Sequence, residues 1–181
     1  MKKFKTPRWG WAITGSGHFL KETLAIIREL EHLDLFLSDA AAEVLRMYKQ
    51  AIDLPETARI FRDKAASSPP VGSFYYGHYH TLVVAPATSN AVAKFVFGIS
   101  DDLVSNVFAH AGKCRVPEIV FACDTAPELL TEAPKGMVKV YPRAIDLENR
   151  ERLGRFEGVV VADSLVELGE AIARRRADVG S

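Results

Sequence analysis

Short, continuous apolar runs alternate along the chain with longer stretches in which apolar residues recur every three or four positions. The runs have the length of buried strands, and the longer stretches have the spacing of helices with one face turned inward. Strands are predicted at residues 9–13, 33–37, 81–85 and 118–122, with shorter ones at 137–141 and 159–161. Helices are predicted at residues 18–32, 40–48, from 91 onward, at 101–111 and at 165–175.

This order of elements predicts the fold class. Strands separated by helices form mostly parallel sheets with helices on both faces. We therefore expect a three-layer α/β architecture with a doubly wound, mostly parallel sheet of the Rossmann-like or flavodoxin-like kind, in a single domain over residues 1–181. The least regular segment, residues 51–77, contains three prolines. There we expect a short helix at 57–64 followed by a loop.

The charge balance excludes some classes of partner. The 23 Lys and Arg residues equal the 23 Asp and Glu residues, whereas proteins that bind nucleic acids or membranes electrostatically carry a basic excess. No apolar run approaches the roughly 20 residues that span a bilayer. The N-terminus is basic but lacks the apolar core of a signal peptide. We expect a cytoplasmic protein that binds neither nucleic acid nor membrane.

The cysteine and histidine content bears on redox and metal chemistry. Cys114 and Cys123, the only thiols in the sequence, cannot supply the four ligands of an iron–sulfur cluster or an all-cysteine zinc site. His78 and His80 lie two residues apart, but no third ligand is identifiable, so we expect no metal and a loop with partly exposed histidines. Electron chemistry would therefore need a bound organic cofactor.

Small polar residues follow three of the predicted strands. They are Thr14-Gly15-Ser16-Gly17, Ser38-Asp39 and Thr88-Ser89-Asn90. Glycines let backbone N–H groups approach an anion, hydroxyls donate further hydrogen bonds, and a helix N-terminus adds positive potential. Together they predict a phosphate site built without Lys or Arg, although each could also be a tight turn or a helix cap. The third glycine of the dinucleotide fingerprint is missing, which favours a mononucleotide over NAD.

Three segments resemble a known family. Residues 13–17, residues 86–90 and the Gly-Ile-Ser-Asp-Asp-Leu stretch at 98–103 resemble the flavoprotein family of homo-oligomeric flavin-containing cysteine decarboxylases, which also includes flavin prenyltransferases and archaeal-type flavoproteins. The resemblance implies a homo-oligomer based on trimers, with FMN at the subunit boundary. It also implies the FMN-binding residues, which are Gly15, Ser16, Gly17, Ser38, Thr88, Ser89 and Asn90, with Ser105 facing the same cleft.

Two departures from the family separate this chain from its best-known activities. Phe121-Ala122-Cys123-Asp124 stands where the decarboxylases carry a Pro-x-Met-Asn segment, so Asp124 replaces a substrate-contacting Asn. Asn106 stands where prenyltransferases usually carry an Arg that binds a prenyl phosphate. These two departures therefore argue against cysteine decarboxylation and prenyl transfer.

The segments 136–143 and 146–149 are similar to the C-terminal part of the archaeoflavoprotein-like branch, which includes FMN-dependent dihydromethanopterin reductases. That similarity implies reduction of dihydromethanopterin to tetrahydromethanopterin by hydride transfer from reduced FMN, with NAD(P)H or another soluble donor supplying electrons. A flavin-dependent cysteine-type decarboxylase and an FMN electron carrier without a small substrate are the alternatives.

The reduction also needs a proton. Asp124 is the candidate acid by position; alternatively it binds the pterin amide edge or caps the next turn, and solvent delivers the proton. His18 either reaches the flavin or substrate or lies in the first turn of its helix.

Overall fold

A parallel six-stranded sheet organises the chain, which a computed structural model describes at residues 7–63 and 69–180. The strand order is β3-β2-β1-β4-β5-β8, and neighbouring strands run in the same direction. The strands are β1 (Arg8–Ile13), β2 (Leu33–Leu37), β3 (Arg59–Arg62), β4 (Tyr79–Ala87), β5 (Glu118–Ala122) and β8 (Val159–Ala162). A separate antiparallel hairpin consists of β6 (Leu129–Ala133) and β7 (Gly136–Val140).

Helices connect the strands and cover both faces of the sheet. They are α1 (Leu20–Arg28), α2 (Asp39–Met47), the single-turn α3 (Pro69–Gly72), α4 (Ser89–Phe97), α5 (Leu103–Lys113), α6 (Ala144–Leu153) and α7 (Leu165–Val179), with a 3-10 turn at Ser73–Tyr76. None of the described helices is both long enough and apolar enough to cross a membrane.

The core has two layers because successive side chains of a strand point to opposite faces. Trp11 and Ile13 of β1 pack in the cluster that includes α1, α2 and α7, whereas Ala12 packs in the cluster that includes α4 and α5. The predicted fold class, a doubly wound α/β sheet, is confirmed, and the strand order is that of the Rossmann type. The order reverses between β1 and β4, so the topological switch point lies at the carboxyl ends of these two strands.

The segment at 57–64 has a different structure from the one predicted. Within the predicted helix 57–64, residues 59–62 form the edge strand β3, whose backbone pairs with β2 and whose Phe61 ring stacks on Phe36 at 5.5 Å; residue 64 lies outside the described residues. The predicted strand at 137–141 is confirmed as β7, which pairs antiparallel with β6 in the hairpin.

Helix α6 was not predicted. It is rich in charged residues and has little apolar periodicity, but it packs against α4.

The two histidines near the start of β4 differ in exposure. His78 is buried and bonds with Arg59, with 2.5 Å between Nε2 and a guanidinium nitrogen. His80 lies inside β4, where burial lowers its pKa to about 4. The expectation therefore holds in part, because His78 precedes the strand but is buried, whereas His80 is partly exposed but lies inside the strand.

Candidate functional site at the carboxyl ends of the strands

Thr14 ties together the two strands that flank the switch point. Its buried hydroxyl donates to the Pro86 carbonyl oxygen at 2.8 Å and accepts from the Thr88 backbone N–H at 2.9 Å. This pair of bonds fixes the end of β1 against the end of β4. Thr14 belongs to the segment after β1 that was predicted to contribute to a phosphate site, but its bond to Thr88, 74 positions away, does not follow from the sequence.

Two helices of nine residues begin at this edge, and both have a hydroxyl cap. The Ser38 hydroxyl accepts from the Ala41 N–H at 3.0 Å at the start of α2, and the Thr88 hydroxyl accepts from the Ala91 N–H at 3.2 Å at the start of α4. The predicted capping role of these residues is therefore present. Each capping oxygen still carries a proton that it can donate, so both caps can also bind an anion.

A cavity of about 670 Å³ opens between the starts of α2, α4 and α5. Ligand pockets in proteins typically measure about 300–1,000 Å³. Five of the predicted site residues line it, namely Gly15, Ser38, Thr88, Asn90 and Ser105. The structure thus brings together residues from three strand ends that lie far apart in the sequence.

Four charged residues line the same cavity, and only Asp39 among them belongs to a segment that was predicted to form the phosphate site. They are Lys94, Asp39, Asp63 and Asp102. Lys94 Nζ lies 2.7 Å from a carboxylate oxygen of Asp101 and 2.7 Å from one of Asp102. Burial alone would lower the pKa of Lys94, but its bonds to Asp101 and Asp102 raise it. Lys94 thus lies in the cavity wall but is neutralised by carboxylates, and a phosphate site without Lys or Arg stays a prediction.

Ser105 has a structural role beside its place in the cavity wall. Its hydroxyl accepts from the Asp102 N–H and donates to the Asp102 carbonyl oxygen, both at 3.1 Å, and the Asp102 carboxylate accepts from the Ser105 N–H at 2.7 Å. This is a reciprocal cap at the start of α5. The Ser105 hydroxyl is therefore less available to a ligand than those of Ser38 and Thr88.

The remaining predicted residues lie beside the cavity rather than in its wall. Ser89 is the first residue of α4. The Ser16 hydroxyl accepts from the Cys123 thiol at 3.2 Å and from the His18 N–H at 3.1 Å, so the loop after β1 is bonded to the end of β5. A Cβ atom on Gly17 would come within 2.3 Å of the Tyr48 ring, and only glycine permits this approach.

The end of β5 and the hairpin form a second group of polar residues at the same edge. Asp124 follows Cys123 and is partly exposed. Burial lowers the pKa of His18, and the charge of Asp124 counteracts this. His18 Nδ1 lies 3.0 Å from the Thr131 hydroxyl of β6, and burial raises the pKa of Cys123 to about 12. Cys123 is thus a neutral thiol rather than a nucleophilic thiolate.

The hairpin is anchored to α2 as well as to the loop after β1. The Tyr48 hydroxyl donates to the Glu132 carbonyl oxygen at 2.9 Å. The hairpin therefore contacts the loop after β1 through His18 and the C-terminal end of α2 through Tyr48. Apolar residues of the hairpin remain exposed, since Leu130 is 59% and Met137 62% accessible. Tyr141, which follows the hairpin, is 67% accessible.

Comparison with known proteins bears on this site. A family model described as Flavoprotein matches residues 2–179. Dihydromethanopterin reductase (acceptor) of Methanosarcina mazei is 39% identical over 141 residues, which are 70% of this chain and 59% of that protein. An uncharacterized protein of Methanocaldococcus jannaschii is 34% identical over 173 residues, which are 91% of this chain and 93% of that protein.

A solved structure matches over nearly the full length. The crystal structure of Burkholderia xenovorans DmrB in complex with FMN, described as a cubic protein cage for redox transfer, superimposes with a TM-score of 0.89. The two chains are 50% identical, and the match covers 98% of this chain and 100% of that chain.

Proposed function

This chain belongs to the Flavoprotein family, and from that premise we propose that it is an FMN-dependent oxidoreductase that reduces dihydromethanopterin, a 7,8-dihydropterin, to tetrahydromethanopterin by hydride transfer from reduced FMN. The observation that carries the proposal is the convergence of two hydroxyl-capped helix N-termini on one cavity of about 670 Å³. The names of the M. mazei reductase and of the DmrB–FMN complex support the substrate and the cofactor.

The donor set fits FMN. A phosphate needs N–H and O–H donors, which the starts of α2 and α4 with Ser38 and Thr88 supply. Sugar-alcohol hydroxyls need acceptors, which the carboxylates of Asp39 and Asp63 supply. Gly15 leaves the backbone open to a close approach, because it carries no Cβ. In the proposed site Asn90 adds an amide and Ser105 forms part of the wall, while Ser16, Gly17 and Ser89 support the site from beside the cavity.

The protein's own part in the reaction is to hold the two rings together and to deliver a proton. FMN, when bound, supplies the hydride from its ring system. We assign the proton to Asp124, which lies at the same sheet edge and close enough to His18 to act on its pKa. The Thr131 hydroxyl bonds His18 Nδ1 at 3.0 Å and thereby orients the imidazole beside Asp124. A positioned acid contributes about 10²–10⁴-fold to such a step.

Assembly and location follow the same family premise. We propose a homo-oligomer based on trimers that acts in the cytoplasm. Support comes from the description of DmrB as a cubic cage and from the exposed apolar side chains of the hairpin. Light scattering of the purified protein tests this, and a monomer at micromolar concentration would contradict it.

Anaerobic stopped-flow absorbance of the FMN-loaded protein tests the proposed reaction. We expect NAD(P)H, or dithionite if another donor serves the protein, to bleach the flavin, and dihydromethanopterin to restore its colour with formation of tetrahydromethanopterin. Release of carbon dioxide from a cysteinyl carboxylate would identify the decarboxylase alternative instead. Reoxidation by a protein partner but not by dihydromethanopterin would identify an electron carrier.

A further inference from the structure

A second cavity, of about 470 Å³, lies between α4, α5 and the residues that lead into β8. Its walls are mostly apolar, with Phe95, Ile99, Phe108, Phe156 and Val159 among them. Three residues, Lys94, Phe95 and Ser105, also line the proposed flavin cavity, so the two spaces share a wall. Nothing in the proposed reaction uses this second cavity.

One acidic side chain in its wall lacks a partner. Glu118, the first residue of β5, is 3% exposed, and its Oε1 accepts no hydrogen bond from any described residue. Its main chain is fixed by pairing with Leu82 and Val159 and by a 2.9 Å bond from its N–H to the Gly158 carbonyl oxygen. A buried carboxyl group without a partner costs stability, because it has lost its water and gained nothing in return.

The charged groups around the cavity have a net negative charge, which favours the binding of a cation. The titratable residues in its wall are Lys94 from α4, Lys113 from α5 and Glu157 from the segment before β8. Lys94 is bonded to two carboxylates, those of Asp101 and Asp102. Lys113 and Glu157 are both exposed and opposite in sign. The sum over these groups, before Glu118 is counted, is therefore negative by one unit at neutral pH.

We propose that this cavity binds a small organic cation, whose apolar body contacts the phenylalanines and whose ammonium or amidinium head pairs with Glu118. Such a head supplies N–H donors to the unpartnered oxygen and compensates the charge of the carboxylate. Burial raises the pKa of Glu118 to about 9, so the free protein holds a neutral acid at pH 7. Binding of a cation favours the ionised form and therefore releases a proton.

Isothermal titration calorimetry of the FMN-loaded protein tests the site with benzamidine and with benzamide, its neutral analogue of similar shape. At pH 7 we expect benzamidine to bind about 10-fold to 100-fold more tightly, since hydrogen bonds to charged groups are the stronger ones. Titration in two buffers of different ionisation enthalpy should show close to one proton released per benzamidine bound. Equal affinity of the two probes, or binding without proton release, would overturn the proposal.

Two variants test whether Glu118 causes the preference for benzamidine over benzamide. Glu118→Gln keeps the shape but cannot ionise, and should lose the preference for benzamidine over benzamide; Glu157→Gln, at the rim, should change it by less than about threefold. Both variants should bind FMN like the wild type. Unchanged benzamidine binding by Glu118→Gln would overturn the proposal, and so would failure of the assembled wild type to bind either probe. If Glu118→Gln does not fold, the two probes and the proton count on the wild type decide.

Discussion

The two ends of the parallel sheet treat polar groups differently. At the amino end, Asp34 of β2 is fully buried and accepts hydrogen bonds from Arg8 Nε at 2.8 Å, Arg59 Nε at 2.9 Å and the Tyr79 hydroxyl at 2.8 Å. At the carboxyl end, the polar groups of Ser38 and Thr88 face a cavity. The first arrangement is closed and stabilises the fold, whereas the second is open to a ligand.

Glu118 departs from this division. Like Asp34 it is a buried carboxyl near the amino end of its strand, but it faces a cavity and its Oε1 has no partner among the described residues. Burial alone would raise the pKa of Asp34, yet hydrogen bonds from Arg59 and Tyr79 and the charge of Arg8 hold it below its usual 3.8. With no such compensation, burial raises the pKa of Glu118 to about 9. The hydrogen-bond and charge partners of these two buried acids, rather than their burial or their position in the strand, therefore determine the direction of the pKa shift.

Loss of Asp34 should have the largest effect on stability. Asp34→Asn leaves Arg8 and Arg59 without their carboxylate, and we expect a loss of about 3–5 kcal/mol in the free energy of unfolding, measured by urea denaturation at pH 7. The control Asp53→Asn removes the exposed partner of Arg28 and should cost less than about 1 kcal/mol. A loss for Asp34→Asn no larger than the control's would show that the cluster does not stabilise the fold.

The pH dependence of this difference has a defined sign. Because the folded pKa of Asp34 is lowered, its stabilising contribution is present above pH 3.8 and disappears as the pH falls through the lower folded value. Wild type and Asp34→Asn should therefore approach each other only in strong acid.

Glu118 should show the opposite sign. Its folded pKa is raised, so the folded protein holds a proton that the unfolded chain releases near 4.5, and stability falls as the pH rises from there towards 9. We expect Glu118→Gln to remove this fall and therefore to be more stable than the wild type at pH 9 in urea denaturation. Glu157→Gln should follow the wild-type profile. If the stability of Glu118→Gln falls as steeply with rising pH as that of the wild type, a group other than Glu118 causes the fall.

Substitutions at the carboxyl end of the sheet should affect ligand binding more than the stability of the fold. Thr88→Ala removes a cap and a hydroxyl donor, and we expect about tenfold weaker FMN binding, measured by flavin fluorescence. Ser164→Ala removes the cap of α7, a similar hydroxyl that accepts from the Glu167 N–H at 3.2 Å. Both Ser164→Ala and Thr88→Ala should reduce the free energy of unfolding by about 1 kcal/mol. Ser164→Ala should leave the affinity for FMN unchanged. Equal FMN affinity for the two variants would place the phosphate elsewhere.

The smallest effect is expected for Tyr79. Tyr79→Phe removes one neutral donor to Asp34 and leaves both arginines in place, so the cost should be about 1 kcal/mol in urea denaturation. A loss as large as that of Asp34→Asn would mean that the phenol, rather than the guanidinium groups, satisfies the carboxylate.

Local signals were sufficient for much of the fold and for part of the site. The strands at 33–37 and 118–122 and the caps at Ser38 and Thr88 follow from short-range patterns, because a cap bonds a residue three positions away. Edge strand β3 was missed since its partner β2 lies on the far side of helix α2 in the sequence and its residues are mostly exposed.

Contacts between distant residues were beyond such patterns. Thr14 bonds to Thr88 across 74 positions, and Lys94 enters the cavity wall only because α4 and α5 pack side by side. Glu118 is the first residue of the strand predicted at 118–122, and nothing in that short pattern shows that its side chain is buried. Its burial depends on α5 and on the residues before β8 covering it.

The central claim is that the helix starts at Ser38 and Thr88 hold the phosphate of FMN. Its most direct test is the affinity of the flavin-free protein for FMN compared with riboflavin, which lacks only the phosphate. We expect FMN to bind at least about 100-fold more tightly, through several charge-assisted hydrogen bonds. Equal affinities, or a protein that takes up neither flavin, would contradict the claim.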